Sequence, residues 1–123
     1  THQMSLETQI QSRLAPVLAG KVFAVMAPEG TQFPLIVWQR ISSDAQATHE
    51  ATADLYQVRV QVTCYVPRAS GISAARALRE AAVAALEGNW PDGPISVADK
   101  SEGFEDDAQV FRADADFYVW SNN

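Results

Sequence analysis

Apolar and polar residues alternate from Tyr56 to Val66. Tyr56, Val58, Val60, Val62, Cys64 and Val66 fall on one side, and Gln57, Arg59, Gln61 and Thr63 on the other. Period two over this length predicts a half-buried antiparallel strand from Leu55 to Val66. Its register is firmly set, because a one-residue slip would turn the apolar set into water. Pro67 ends the ladder, having no N–H to donate. Ser70 is placed to cap a helix over Gly71–Glu87 that Gly88 stops. Ile72, Ala75, Leu78, Ala82 and Leu86 make its apolar stripe; Arg76, Arg79, Glu80 and Glu87 point largely away, with Arg76 and Glu80 spaced as an ion pair.

The rest of the chain divides by the same logic. Ser5 caps a first helix with Leu6, Ile10, Leu14 and Val17 or Leu18 on its inner stripe. Pro16 stops or kinks it near Ala15. Lys21–Met26 reads as a short strand, Ala27-Pro-Glu-Gly30 as a turn, and Phe33–Ser42 as a strand whose start is apolar on both faces and so needs cover on both sides. Residues 43–53 are small, polar and without period, which predicts a long hairpin loop of a kind often functional. Beyond the second helix come a short strand around Ile95, Val97 and Ala98, an acidic turn over Ser101–Asp107, and a strand over Gln109–Ser121. In that last strand Phe111, Ala113, Ala115, Phe117 and Val119 share one face, and Arg112, Asp114, Asp116, Tyr118 and Trp120 the other.

The order helix, strand, strand, strand, helix, strand, strand predicts an α+β domain. One mainly antiparallel, mixed sheet of about five strands carries both helices on one face. A right-handed crossover through the second helix to a parallel neighbour is expected. The 123 residues make one domain over 4–121, with Thr1-His-Gln ahead of Met4 read as an added leader. An apolar content of 47% and a charged content of 20% fit a globular protein. No run of about 18 apolar residues predicts a membrane span, and the start lacks the pattern of a secretion signal, so cytosolic synthesis is expected.

The net charge of −6 is uneven: residues 1–86 carry seven basic and six acidic side chains, residues 87–123 two and nine. Such a chain repels nucleic acid phosphates, and its acidic end suits a basic protein partner. Candidate chemistry is thin. His49 beside Glu50 has no nucleophile or orienting group near it in sequence and reads as a solvated loop histidine. Cys64, the single cysteine, reads as core. Asp114 and Asp116 share a strand face and could serve a cation or an acid/base pair, but alternation alone puts them there and Arg59 or Arg112 can pair with them. No Gly-rich phosphate loop, metal-ligand spacing or cofactor motif is present, so no catalytic, cofactor-binding or metal residue is assigned.

Four stretches together carry a resemblance: Val22-Phe-Ala-Val-Met-Ala-Pro28 after the first helix, Phe33-Pro-Leu-Ile-Val-Trp-Gln-Arg40, Tyr56-Gln-Val-Arg-Val-Gln-Val-Thr-Cys-Tyr65 leading into an alanine-rich helix, and Val110-Phe-Arg-Ala-Asp-Ala-Asp-Phe-Tyr-Val-Trp120. In order and spacing the chain resembles the tail-completion family of long-tailed bacteriophages and prophages, related in fold to the lambda tail terminator. The resemblance implies a structural, non-enzymatic protein of the virion tail, assembled in the host cytoplasm. Such a protein would form a hexameric ring, or be a monomer until it meets the tube. It would cap the tail tube, end tail polymerisation and join the tail to the head connector. Tail-tube and head-connector proteins are the implied partners, with no membrane and no sequence-specific nucleic acid. Asp44, Gln46, Thr48, His49 and Glu50 of the loop, Arg59 of the polar strand face, and Glu102, Glu105, Asp106 and Asp107 of the acidic turn are the expected assembly contacts. The rival readings are a small ligand-binding or regulatory α+β domain, dimeric through a sheet edge, and lastly an enzyme using Asp114 and Asp116.

Overall fold

The computed structural model describes residues 5–45, 56–88, 90 and 95–121. Among these residues, helices α1 (Leu6–Leu14) and α2 (Gly71–Leu86) pack on one face of a five-stranded sheet. The strands are β1 (Val22–Ala24), β2 (Leu35–Ala45), β3 (Tyr56–Pro67), β4 (Ser96–Glu105) and β5 (Val110–Ser121), in spatial order β1-β2-β3-β5-β4. The sheet is mixed. β1 runs parallel to β2, and the other neighbours are antiparallel.

The alternation in β3 places Val58, Val60, Val62, Cys64 and Val66 under the helices, all buried. β5 lies beside it in register, Val60 opposite Phe117 and Val62 opposite Ala115, so its small and large apolar residues fill the same layer. α1 contributes Leu6, Ile10 and Leu14, and α2 contributes Ala75, Ala82, Val83 and Leu86. Ser5 caps α1, its hydroxyl accepting from the Thr8 N–H at 3.1 Å. Gln11 ties α1 to the sheet: it donates to the Val22 carbonyl at 3.0 Å and accepts from the Trp38 indole at 2.7 Å. Trp90 donates to the Leu86 carbonyl at 2.8 Å, and the Arg13 guanidinium stacks 4.0 Å above its ring.

Five expectations are corrected. The crossover through α2 does not reach a strand adjacent to β3. It reaches β4, which runs parallel to β3 with β5 inserted between them. Ser70 makes no side-chain cap, because a 3-10 turn at Arg68–Ser70 leads into α2. Arg79 does not point away from the sheet. It is 7% exposed and reaches over the β4 edge, donating to the Ser101 carbonyl at 3.2 Å and pairing with Glu102. Arg76 likewise pairs with Glu102, at 3.4 Å, and Glu80 with Lys100, at 3.1 Å, in place of an Arg76–Glu80 pair along the helix. Charges thus fasten the outer strand where the apolar layer ends. Finally, Ser101–Glu105 is strand rather than turn, because each of its residues pairs with one of β5 in a continuous ladder.

Candidate assembly surface

The face of the sheet away from the helices is built in rows across the strands. One row runs Gln39, Gln61, Asp116, Asp99; the next Val37, Thr63, Asp114, Ser101; the next Leu35, Tyr65, Arg112, Gly103. Asp114 and Asp116 are buried in this surface although they face away from the core. Asp116 pairs with Arg59, and this hydrogen bond holds the guanidinium above its ordinary value. Asp114 accepts from the Ser101 hydroxyl at 3.1 Å and lies 3.3 Å from Arg112 Nε. Gly103 leaves the space over which the Arg112 guanidinium lies, since a Cβ there would collide with it. The two carboxylates are therefore each neutralised across or along the sheet, which leaves neither placed as a free acid or base.

At the next end of this face the surface turns apolar. β1 is cut short after Ala24, because Val25 takes φ +70 and the Met26 N–H folds back to the Ala24 carbonyl at 2.8 Å. A β-branched residue in that region is strained. The turn throws the side chains of Val25 and Met26 outward, 62% and 73% exposed. The chain then crosses the start of β2, held by Lys21 donating to the Gln32 carbonyl at 2.9 Å and by a turn in which Thr31 N–H reaches the Pro28 carbonyl at 3.1 Å. This crossing segment is the second cover that the two-sided apolar start of β2 requires, and Leu35 is buried beneath it. Between it and the β4–β5 turn lies a groove of about 640 Å³, floored by Leu35, Tyr65 and Val110 and rimmed by Met26 and the acidic run Glu105–Asp107.

The expected assembly contacts distribute unevenly over this surface. Arg59 is on it, committed to Asp116. Glu105 lies at the end of β4, and Asp106 and Asp107 sit in the turn at the groove. Glu102 does not join them: alternation along β4 sends it to the helix side, where its hydrogen bond with Arg79 holds its carboxyl below the usual value. For Arg79 itself, burial pulls downward, but the hydrogen bonds it donates to Glu102 and Glu80 leave it raised. Asp44 belongs to β2, opposite Gln57, rather than to a loop. Gln46, Thr48, His49 and Glu50 lie outside the described residues. Sequence reasoning missed Val25 and Met26, because a short apolar run reads as strand and nothing in its composition marks the residue that turns left-handed. Cys64 is buried, and desolvation pushes its thiol up to about 12.

Both sheet edges are poor templates for strand addition. β1 has three residues, and β4 carries a register shift between Val97 and Asp99 along with Lys100, Glu102 and Glu105. That weakens the case for a dimer through a sheet edge.

The sequence matches the family described as "Tail completion protein gp17" over residues 9–122. The chain belongs to that family. Membership carries a structural role in a phage tail as its coarse function. No curated protein matches the chain. Among solved structures it is similar to a chain in the "Virion of native gene transfer agent (GTA) particle", with 15% identity over 93% of this chain and 92% of that one, and a TM-score of 0.67. At that identity the likeness is one of fold. The family match and the α+β architecture agree with the family and the fold that the four sequence stretches imply.

Proposed function

We propose that the protein caps the end of the tail tube as a hexameric ring, ends tail polymerisation and presents the surface to which the head connector joins. It would assemble in the host cytoplasm and remain in the virion tail. The observation that carries this reading is the family match spanning residues 9–122, supported by the shared fold with a chain of a gene transfer agent particle. The physical features are consistent with a scaffold that meets other proteins: paired buried carboxylates and an apolar groove beside an acidic run on the open sheet face.

Contacts with a neighbouring subunit or the tube are assigned to residues 44–53, and contacts with a basic partner to Glu105, Asp106 and Asp107. Arg59 and Glu102 shape the surface by holding Asp116 and Arg79. Removing the gene from its phage or prophage should leave tails of uncontrolled length and unjoined heads under the electron microscope, restored by the protein supplied in trans. Tails of normal length joined to heads in its absence would end the proposal. Shortening residues 46–53 to a four-residue linker should reproduce the defect while the purified domain keeps its melting temperature.

A further inference from the structure

Every cation of this chain already has a partner inside it. The sequence contains nine Lys and Arg residues. Arg40 pairs with Glu7, Arg59 with Asp116, Arg76 and Arg79 with Glu102, Lys100 with Glu80, and Arg112 with Asp114 and Glu105. Lys21 donates to the Gln32 carbonyl, Arg68 to the Gln109 side chain, and Arg13 covers Trp90. Fifteen carboxylates face these nine cations, and the side chains of Asp106 and Asp107 at the groove rim take no ion pair among the described residues. Those two carboxylates stand exposed and open to a cation from outside the chain.

The groove beside those aspartates has the other half of a binding surface. Met26, 73% exposed, stands on one wall opposite the acidic run, and Leu35, Tyr65 and Val110 make the apolar floor between them, with Phe33 packed against Tyr65 at 6.1 Å. Its volume of about 640 Å³ is enough for one or two large side chains. An exposed Met beside an aromatic is an adaptable apolar contact, and the strained Val25 turn holds it out from the sheet.

We propose that this groove docks a segment of a different protein in which an apolar side chain is flanked by Lys or Arg. The apolar group enters between Met26 and Tyr65 while the flanking cations meet Asp106 and Asp107. A second copy of this chain is the poorer occupant: its own cations are engaged, and at a net charge of −6 it would bring carboxylates to carboxylates. The identification of the occupant as another protein rests on the tail-assembly reading; the chemistry of the groove does not.

The test is a 1H–15N titration of the whole chain with three synthetic peptides: acetyl-KKLFKK-amide, acetyl-SSLFSS-amide and acetyl-KKGGKK-amide. The expected result is saturable shifts at Met26, Tyr65 and Asp107 with the first, at least fivefold weaker binding of the other two, and a several-fold loss of affinity on raising salt from 50 to 300 mM. Met26→Ser and the pair Asp106→Asn, Asp107→Asn, all at exposed positions, should each weaken the first peptide at least fivefold with unchanged spectra elsewhere. Equal binding of the KKGGKK peptide, shifts away from the groove, or self-association through this face on raising protein concentration would each overturn the proposal. A null titration removes the groove and leaves the tail-end reading standing. Groove binding in a protein whose deletion leaves tails normal does the reverse.

Discussion

The two faces of β5 are made from one stretch of chain and do opposite work. Toward the helices it presents Ala113, Ala115, Phe117 and Val119, all buried in a layer without charge. Away from them it presents Asp114 and Asp116, which are nearly as buried, 6% and 7% exposed, but only because Ser101 of β4, Arg59 of β3 and Arg112 of β5 itself meet them. The first face is held by apolar area and tolerates no gap. The second is held by pairing, so its stability depends on which partner is present. Burial alone therefore does not say where a core is. What covers the side chain does.

Breaking the apolar face should have the largest effect. Phe117→Ala removes a fully buried ring and should cost about 3–5 kcal/mol, read from a urea midpoint. Arg79→Ala comes next, at about 2 kcal/mol, from loss of its packed stem and of the bond to the Ser101 carbonyl. Local hydrogen exchange should quicken along β4 more than along β3, and equal quickening would show that Arg79 does not act as an edge clamp. Val25→Asn should go the other way, raising stability by about 1 kcal/mol as the left-handed backbone is relieved, because the Val side chain is mostly in water already.

A pH series separates the helix-side charges from the rest. The carboxyl of Glu102 is held below 4.5 chiefly by Arg79, and that of Glu80 chiefly by Lys100. Their contribution is complete above the unfolded value near 4.5 and fades as pH falls through the lower folded values. Glu102→Gln should therefore flatten the loss of stability below pH 4.5 while changing its slope near pH 7 not at all. The smallest effect belongs to the groove rim: Asp106→Asn with Asp107→Asn should move stability by less than about 0.5 kcal/mol. A larger loss there would mean the rim is part of the fold rather than a surface kept for a partner.

Much of this architecture is written in period two. β3 and β5 announce their faces residue by residue, and α1 announces its cap and its inner stripe. The extent of β4 was not legible, since Ser101-Glu-Gly-Phe-Glu105 has the composition of a turn and becomes strand only because β5 offers it a ladder. Arg79 was misplaced for a related reason: a helix wheel assigns it to the rim, and only the edge strand beneath makes that rim an interior. For the surface, the acidic run was visible but its division was not. Alternation sends Glu102 to the helices and leaves Glu105–Asp107 at a groove whose opposite wall, Val25 and Met26, comes from a remote segment.

One property of the interior has a practical side. Cys64 is the chain's single cysteine, and burial keeps its thiol protonated up to about 12. A maleimide dye at neutral pH will pass it by. A cysteine placed at Met26 or Asp107 would then carry the label alone, and the native sequence needs no further editing to report distances inside an assembled particle.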